Sequence, residues 1–127
     1  MTPLVPTSWG ELLDKIAILE IKSERLTSAA ALANVRNELS QLEAVAAKIP
    51  VDPPLTALKG ALKTVNEALW DIEDRIREHE ARQAFDADFI ELARAVYKTN
   101  DERGRIKREI NLKLNSALVE EKQYQKY

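Results

Sequence analysis

Apolar side chains recur along this chain at helical spacing and nowhere alternate as a strand would. Leu12, Leu13, Ile16, Ala17, Leu19, Ile21 and Leu26 sweep an arc of roughly 220° at 100° per residue, wider than the stripe of an ordinary surface helix. The spacing predicts a first helix over residues 9–26 that is covered from two sides. Ser8 followed by Glu11 forms a capping box at its start, each side chain meeting a free backbone N–H. Glu11, Asp14, Lys15, Lys22 and Arg25, with Ile18 among them, form the stripe expected to face solvent; Glu20 and Glu24 fall inside the apolar arc. Thr27 and Ser28 can cap a second helix over 29–48, whose face is Leu32, Val35, Leu39, Leu42, Val45 and Ile49.

The segment Ile49-Pro50-Val51-Asp52-Pro53-Pro54 reads as a stiff connector, because proline lacks a donor and pushes its predecessor towards extended geometry. Beyond it the strict 3-4 spacing of Leu55, Leu58, Leu62, Val65, Leu69, Ile72 and Ile76, extended by His79 and Gln83, predicts a long helix over 55–84 with a coiled-coil-like seam. The pattern breaks near Phe85. Asp86 or Asp88 can cap a fourth helix, expected over 87–122. The expected fold class is therefore all-α: an antiparallel helical bundle with a long helix 3/helix 4 hairpin and two shorter N-terminal helices, in one domain spanning residues 1–127. A turn about Phe85–Ala87 sets residues whose numbers sum to about 171 opposite one another, so Leu69 is expected near Arg103 and Leu62 near Ile110. The long helices span roughly 45 and 50 Å against roughly 27 Å for the first helix. Part of the hairpin outruns its cover, and a homodimer is the simplest remedy.

The same phase continued along the fourth helix breaks at Thr99, Arg103 and Lys113. From Tyr97 to Arg105 the core pattern gives way to polar residues. An arginine directed inward needs a hydrogen-bonded counter-charge, since an unpaired buried charge costs several kcal/mol (roughly) even after relaxation. Glu20 and Glu24 are the expected partners. The layer has two readings: a structural ion pair that fixes helix register, or a small-ligand site in which Tyr97, Asn100, Asp101, Arg103 and Arg105, with Glu20 and Glu24, receive an anion. Gly104, beside two arginines, would allow a ligand or another backbone to approach closely.

Composition narrows the chemistry. The chain has no cysteine and a single histidine, His79, which removes disulfides, thiolate chemistry and most histidine chemistry. No metal or cofactor site is expected: the Glu-x-x-His motif of di-iron bundles is missing and His79, on the seam near the end of its helix, reads as a packing or partly exposed residue. Trp9 and Trp70 read as core anchors. Arg103, Arg105, Lys107, Arg108 and Lys113 stand against Glu109 alone in their segment, as a phosphate-binding stripe or a solvated face would. A net charge of −2 and the lack of interleaved stacking aromatics argue against nucleic acid. No leader or membrane span is read, so a cytoplasmic location is expected.

Two segments, Ser8-Trp9-Gly10-Glu11-Leu12-Leu13-Asp14-Lys15-Ile16 through Glu20-Ile21-Lys22, and Val96-Tyr97-Lys98-Thr99-Asn100-Asp101 through Arg103 and Ile106-Lys107-Arg108-Glu109-Ile110-Asn111, resemble a family of small bacterial proteins of unknown function. Some of its members are associated with surface-polysaccharide and glycosyltransferase contexts. The resemblance spans nearly the whole chain and implies a bacterial source and a link to sugar metabolism, but no catalytic residue. Leu69-Trp70-Asp71-Ile72-Glu73-Asp74-Arg75-Ile76 also resembles the helical chorismate mutases, without the cationic set that such an enzyme requires. The expectation is a homodimeric interaction or assembly module that docks on another protein. The alternative is a binding protein or small enzyme for an anionic metabolite, a sugar phosphate or nucleotide sugar.

Overall fold

The computed structural model describes residues 1–127 and contains helices only: α1 (Trp9–Arg25), α2 (Ala29–Ala46), α3 (Pro53–Ala81) and α4 (Ala87–Lys113). The chain is an all-α bundle in which the hairpin of α3 and α4 makes the largest contact. None of its helices is long and apolar enough to cross a membrane.

Each helix starts on a side-chain cap. Ser8, Ser28, Asp52 and Asp86 accept from the backbone N–H of Glu11, Ala31, Leu55 and Phe89 in turn, satisfying donors that helical bonding leaves free. The third start differs from expectation. Pro53 and Pro54 are not connector but the first residues of α3; a proline there loses no helical bond and its fixed φ suits the helix.

Two helix ends are also earlier than the pattern suggested. α3 closes at Ala81, where Gln83 takes φ 54°, and the N–H groups of Gln83 and Ala84 return to the carbonyls of Glu80 and His79. This is a Schellman motif, closed with glutamine where glycine is usual. α4 ends at Lys113 rather than near residue 122. Asn115 takes φ 50° and the N–H groups of Asn115 and Ser116 return to Leu112 and Asn111. Ala117, in phase with the seam of α4, lies instead with Leu118 and Val119 on an extended segment, residues 117–127, which doubles back along α4.

α1 runs antiparallel to α4 and parallel to α3, and α2 packs on α1. The core gathers at one end: Leu12, Leu13, Ile16 and Ala17 of α1 meet Leu55, Leu62 and Val65 of α3 and Ile106 and Ile110 of α4, with Ile49 closing the connector side. α1 finishes beside the middle of α3, where Arg25 bonds Asp71 at 2.6 Å and lies over the Trp70 ring. From there to the tip the hairpin has no third helix. Ile72, Ile76 and Phe89 on its seam are only half-buried.

Candidate functional site

Arg103 does turn inward, but its partner is Asp14. The carboxylate of Asp14, fully buried, accepts from Arg103 Nε at 2.9 Å and Nη2 at 2.5 Å. Asn66 Nδ2 donates to it at 2.9 Å and to the Leu62 carbonyl at 3.0 Å. This forked, charge-assisted pairing holds the guanidinium above its ordinary pKa, through the Asp14 hydrogen bond first and in spite of burial. Glu20 and Glu24 lie elsewhere: Lys63 of α3 reaches both, at 4.0 and 2.5 Å. Both glutamates were expected on Arg103 because Asp14 was assigned to the solvent stripe. In fact Gly10, Asp14, Ala17 and Ile21, all buried, form a second seam on α1, and α4 lies against it.

One turn earlier on α1 the two backbones touch. A Cβ on Gly10 would stand 2.5 Å from the Lys107 carbonyl oxygen and 2.8 Å from Asn111 Oδ1, so only glycine fits. Asn111 Oδ1 accepts from the Gly10 N–H at 2.7 Å and Ser116 Oγ from the Trp9 N–H at 2.9 Å. The left-handed turn at Asn115 therefore presents Ser116 to the start of α1. With Ser8 accepting from Glu11 and Leu12, this start has no free donor for an anion. Lys107, buried beside it, bonds Glu11 at 2.7 Å and Glu120 at 2.9 Å. Burial alone would lower its pKa, but the two carboxylates raise it, and the Lys107 hydrogen bond in turn lowers that of Glu120.

The residues expected as one site thus divide between two faces of α4. Tyr97, Asp101 and Arg105 face the returning C-terminal segment. Tyr127 Oη donates to Asp101 at 2.5 Å and its ring meets that of Tyr97 edge-on at 5.0 Å. Arg108 pairs with Glu121 at 3.0 Å. A broad cleft of about 1360 Å³ lies between segment and helix, lined by both signs of charge. Arg105 is held by Glu102 and Glu109 of its own helix, so the basic stripe is neutralised locally. Gly104 meets no backbone; its nearest neighbour is Lys122 Nζ, 3.5 Å from a built Cβ.

Arg103 opens on the other face, into a groove of about 360 Å³ shared by α1, α3 and α4. Ile18, Leu69, Trp70 and Val96 form its apolar wall, and Asn66, Asn100, Glu73 and Asp74 supply its polar groups. Leu69 thus shares a groove with Arg103, as the hairpin register predicts, although Asn66 is the residue joined to Arg103 through Asp14. Asn100 lines both openings. Asp14, Asn66, Asn111 and Ser116 are not among the residues expected at the site, and Lys107 is expected only in the basic stripe. The spacing of Gly10 and Ala17 around Asp14 was the available signal: two small residues on one row mark a close helix crossing.

Residues 4–127 match the model of a family of unknown function, DUF6165, and the chain belongs to that family. No curated protein and no solved structure matches it.

Proposed function

We propose that the chain is a helical assembly module which self-associates through the outer half of the α3/α4 hairpin. The observation that carries this reading is uncovered surface. The chain exposes 8713 Å², whereas a compact monomer of 14.4 kDa exposes about 6,800 Å². The extended segments at either end account for part of the difference. Part of the rest lies where the hairpin continues past α1 as a bare two-helix layer, with Ile72, Ile76 and Phe89 half-exposed on its seam and Phe85 and Ile90 51% and 55% exposed beside it.

A second copy is the occupant that this surface fits. A two-fold pairing sets the same patch against itself, and the 3-4 spacing of α3 suits helix-against-helix packing. A standard interface removes about 800 Å² from each partner, within the excess that the chain carries. Two hairpins packed tip to middle would complete a four-helix layer.

Sedimentation equilibrium of the full chain is expected to give twice 14.4 kDa. Phe85→Glu with Ile90→Glu, both at exposed positions, is expected to give a monomer of unchanged helicity. A wild-type chain that stays monomeric at high concentration overturns the reading.

A second reading, a small-ligand site, is supported by the Arg103 groove, where Arg103 Nη1 and the Asn100 amide have no hydrogen-bond partner in the chain. Asp14 already neutralises the guanidinium and Glu73 and Asp74 line the same wall, so an uncharged polyhydroxylated or amide-bearing ligand suits it better than an anion. Thermal shift with neutral sugars against sugar phosphates and nucleotide sugars, on wild type and Asn100→Leu, distinguishes the two forms.

A further inference from the structure

The tip of the hairpin gathers the only histidine with two aspartates. His79 is 8% exposed, and its Nδ1 lies 2.9 Å from the carbonyl oxygen of Arg75. A carbonyl can only accept, so Nδ1 carries the hydrogen, and the lone pair of the neutral ring is on Nε2. That nitrogen makes no hydrogen bond in the chain. It points at Asp86 Oδ1, 3.5 Å away, longer than a good N–H···O bond and, for a neutral ring, one acceptor facing another. Asp88 brings a third donor, and the three ligand atoms lie within 4.8 Å of one another.

We propose that the hairpin tip binds a divalent first-row transition metal, zinc being the probe, through His79 Nε2 and the carboxylates of Asp86 and Asp88. Two ligands on a tetrahedral zinc, with bonds of about 2.0–2.1 Å, stand roughly 3.4 Å apart, close to the spacing of His79 and Asp86. A histidine whose second nitrogen donates to a backbone carbonyl has the tautomer and ring orientation typical of a metal ligand. The Phe89 ring, its centroid 6.3 Å away, packs beside the imidazole. Asp86 is held in turn, because its Oδ1 also accepts from the Phe89 N–H at 3.0 Å, which leaves that oxygen a second lone pair for the metal. The left-handed turn at Gln83 brings the end of α3 to the start of α4, so the two opposed helix dipoles largely offset at the site. One nitrogen with two carboxylates favours zinc, cobalt, nickel or manganese over magnesium and calcium, which take oxygen shells. This reverses the expectation, drawn from motif spacing alone, that the chain has no metal site. It is independent of self-association.

The test uses the full, tag-free chain stripped with chelator. With one histidine, a long-range proton–nitrogen spectrum reads Nε2 without assignment. Zinc is expected to bind with micromolar affinity by calorimetry, to shift the Nε2 resonance, and to leave Nδ1 protonated; magnesium is expected to do neither. His79→Gln and Asp88→Asn should each weaken zinc at least about tenfold. Asp88 is exposed and its replacement leaves the Asp86 cap in place, so that variant folds even if the histidine variant does not. The proposal is overturned if zinc binds no tighter to wild type than to Asp88→Asn. It is equally overturned if the Nε2 resonance is that of a protonated ring at neutral pH and does not move with zinc, which would make the pair a simple His79–Asp86 ion pair.

Discussion

The two ends of the hairpin are built from the same heptad-like pattern and are held in different ways. Where α1 crosses α4, backbone meets backbone at Gly10, the Asp14 carboxylate is gripped by three donors, and Lys107 sits between two carboxylates. Every buried side-chain polar atom of this crossing has a partner. At the tip only two helices face each other, Leu92 and His79 are the buried residues, and Phe85 and Ile90 remain exposed. A buried polar network tolerates few changes, because each member removed leaves another unpaired. A bare apolar layer tolerates many, and is free to take a partner. The crossing end is thus the framework, and the tip is the barer of the two.

The largest expected effect lies at Asp14. Arg103→Met leaves that carboxylate fully buried with Asn66 as its remaining donor, and loss of one partner of a buried pair costs about 3–5 kcal/mol. Urea unfolding followed by circular dichroism measures it. Asp14→Leu combined with Arg103→Met should recover much of the loss, since a packed apolar pair avoids desolvating either charge. If the double variant is no better than Arg103→Met alone, the pair is not an isolated structural unit and the groove reading gains.

Next comes Gly10→Ala, whose added methyl meets the Lys107 carbonyl and Asn111. Neither can yield without moving α4, so a loss of about 2–3 kcal/mol is expected, in the range of overpacked cores. A neutral result would show that the crossing is looser than the geometry implies.

Much of the helical framework was legible, because it rests on periodicity and caps that are local in sequence: the hairpin seam, the Ser8 cap and a break near Phe85 needed no tertiary knowledge. The ends of α3 and α4 were not. Gln83 and Asn115 adopt positive φ without the glycine that normally announces it, and Ala117 continues a helical phase that the chain has already left. For the candidate site, the inward turn of Arg103 followed from its place on the seam. Its partner did not, since the choice among Asp14, Glu20 and Glu24 depends on where α4 crosses α1, and Asp14 sits among charged residues that do face solvent. The two-faced division of α4 was likewise hidden, because nothing in the sequence says that residues 117–127 fold back.

Gains are expected where a residue type disagrees with its backbone. Gln83→Gly relieves a left-handed side chain at the tip and should stabilise the chain by about 0.5–1 kcal/mol. Gly104→Ala should give a similar gain by removing a helix-interior glycine, because its Cβ would meet only Lys122 at ordinary contact distance. The contrast with Gly10→Ala is the sharper result: two glycines on contacting helices, one required by a close crossing and the other by nothing in the fold. Loss of stability in Gly104→Ala would mean that something else approaches α4 there.

The smallest effect concerns the returning C-terminal segment, tied to α4 mainly by ion pairs that are partly exposed and individually weak. The Lys107 hydrogen bond lowers the Glu120 pKa below its ordinary 4.5, so the contact contributes fully above that value and is lost as pH falls through the folded pKa. Lys107 is raised above 10.5, so its contribution is fully present below that value and lost only as pH rises through the still higher folded pKa. The segment is therefore expected to stay docked from mildly acidic to strongly alkaline pH and to detach in acid before the helices unfold. Amide resonances of Leu118 and Val119 should move towards random-coil positions with a midpoint below 4.5 while those of Gly10 and Asn111 hold. Glu120→Gln should reproduce the partial release at neutral pH. Detachment near neutrality in wild type would show that the Lys107–Glu120 contact does not hold the segment, and would leave the Tyr97–Tyr127 ring contact as its anchor.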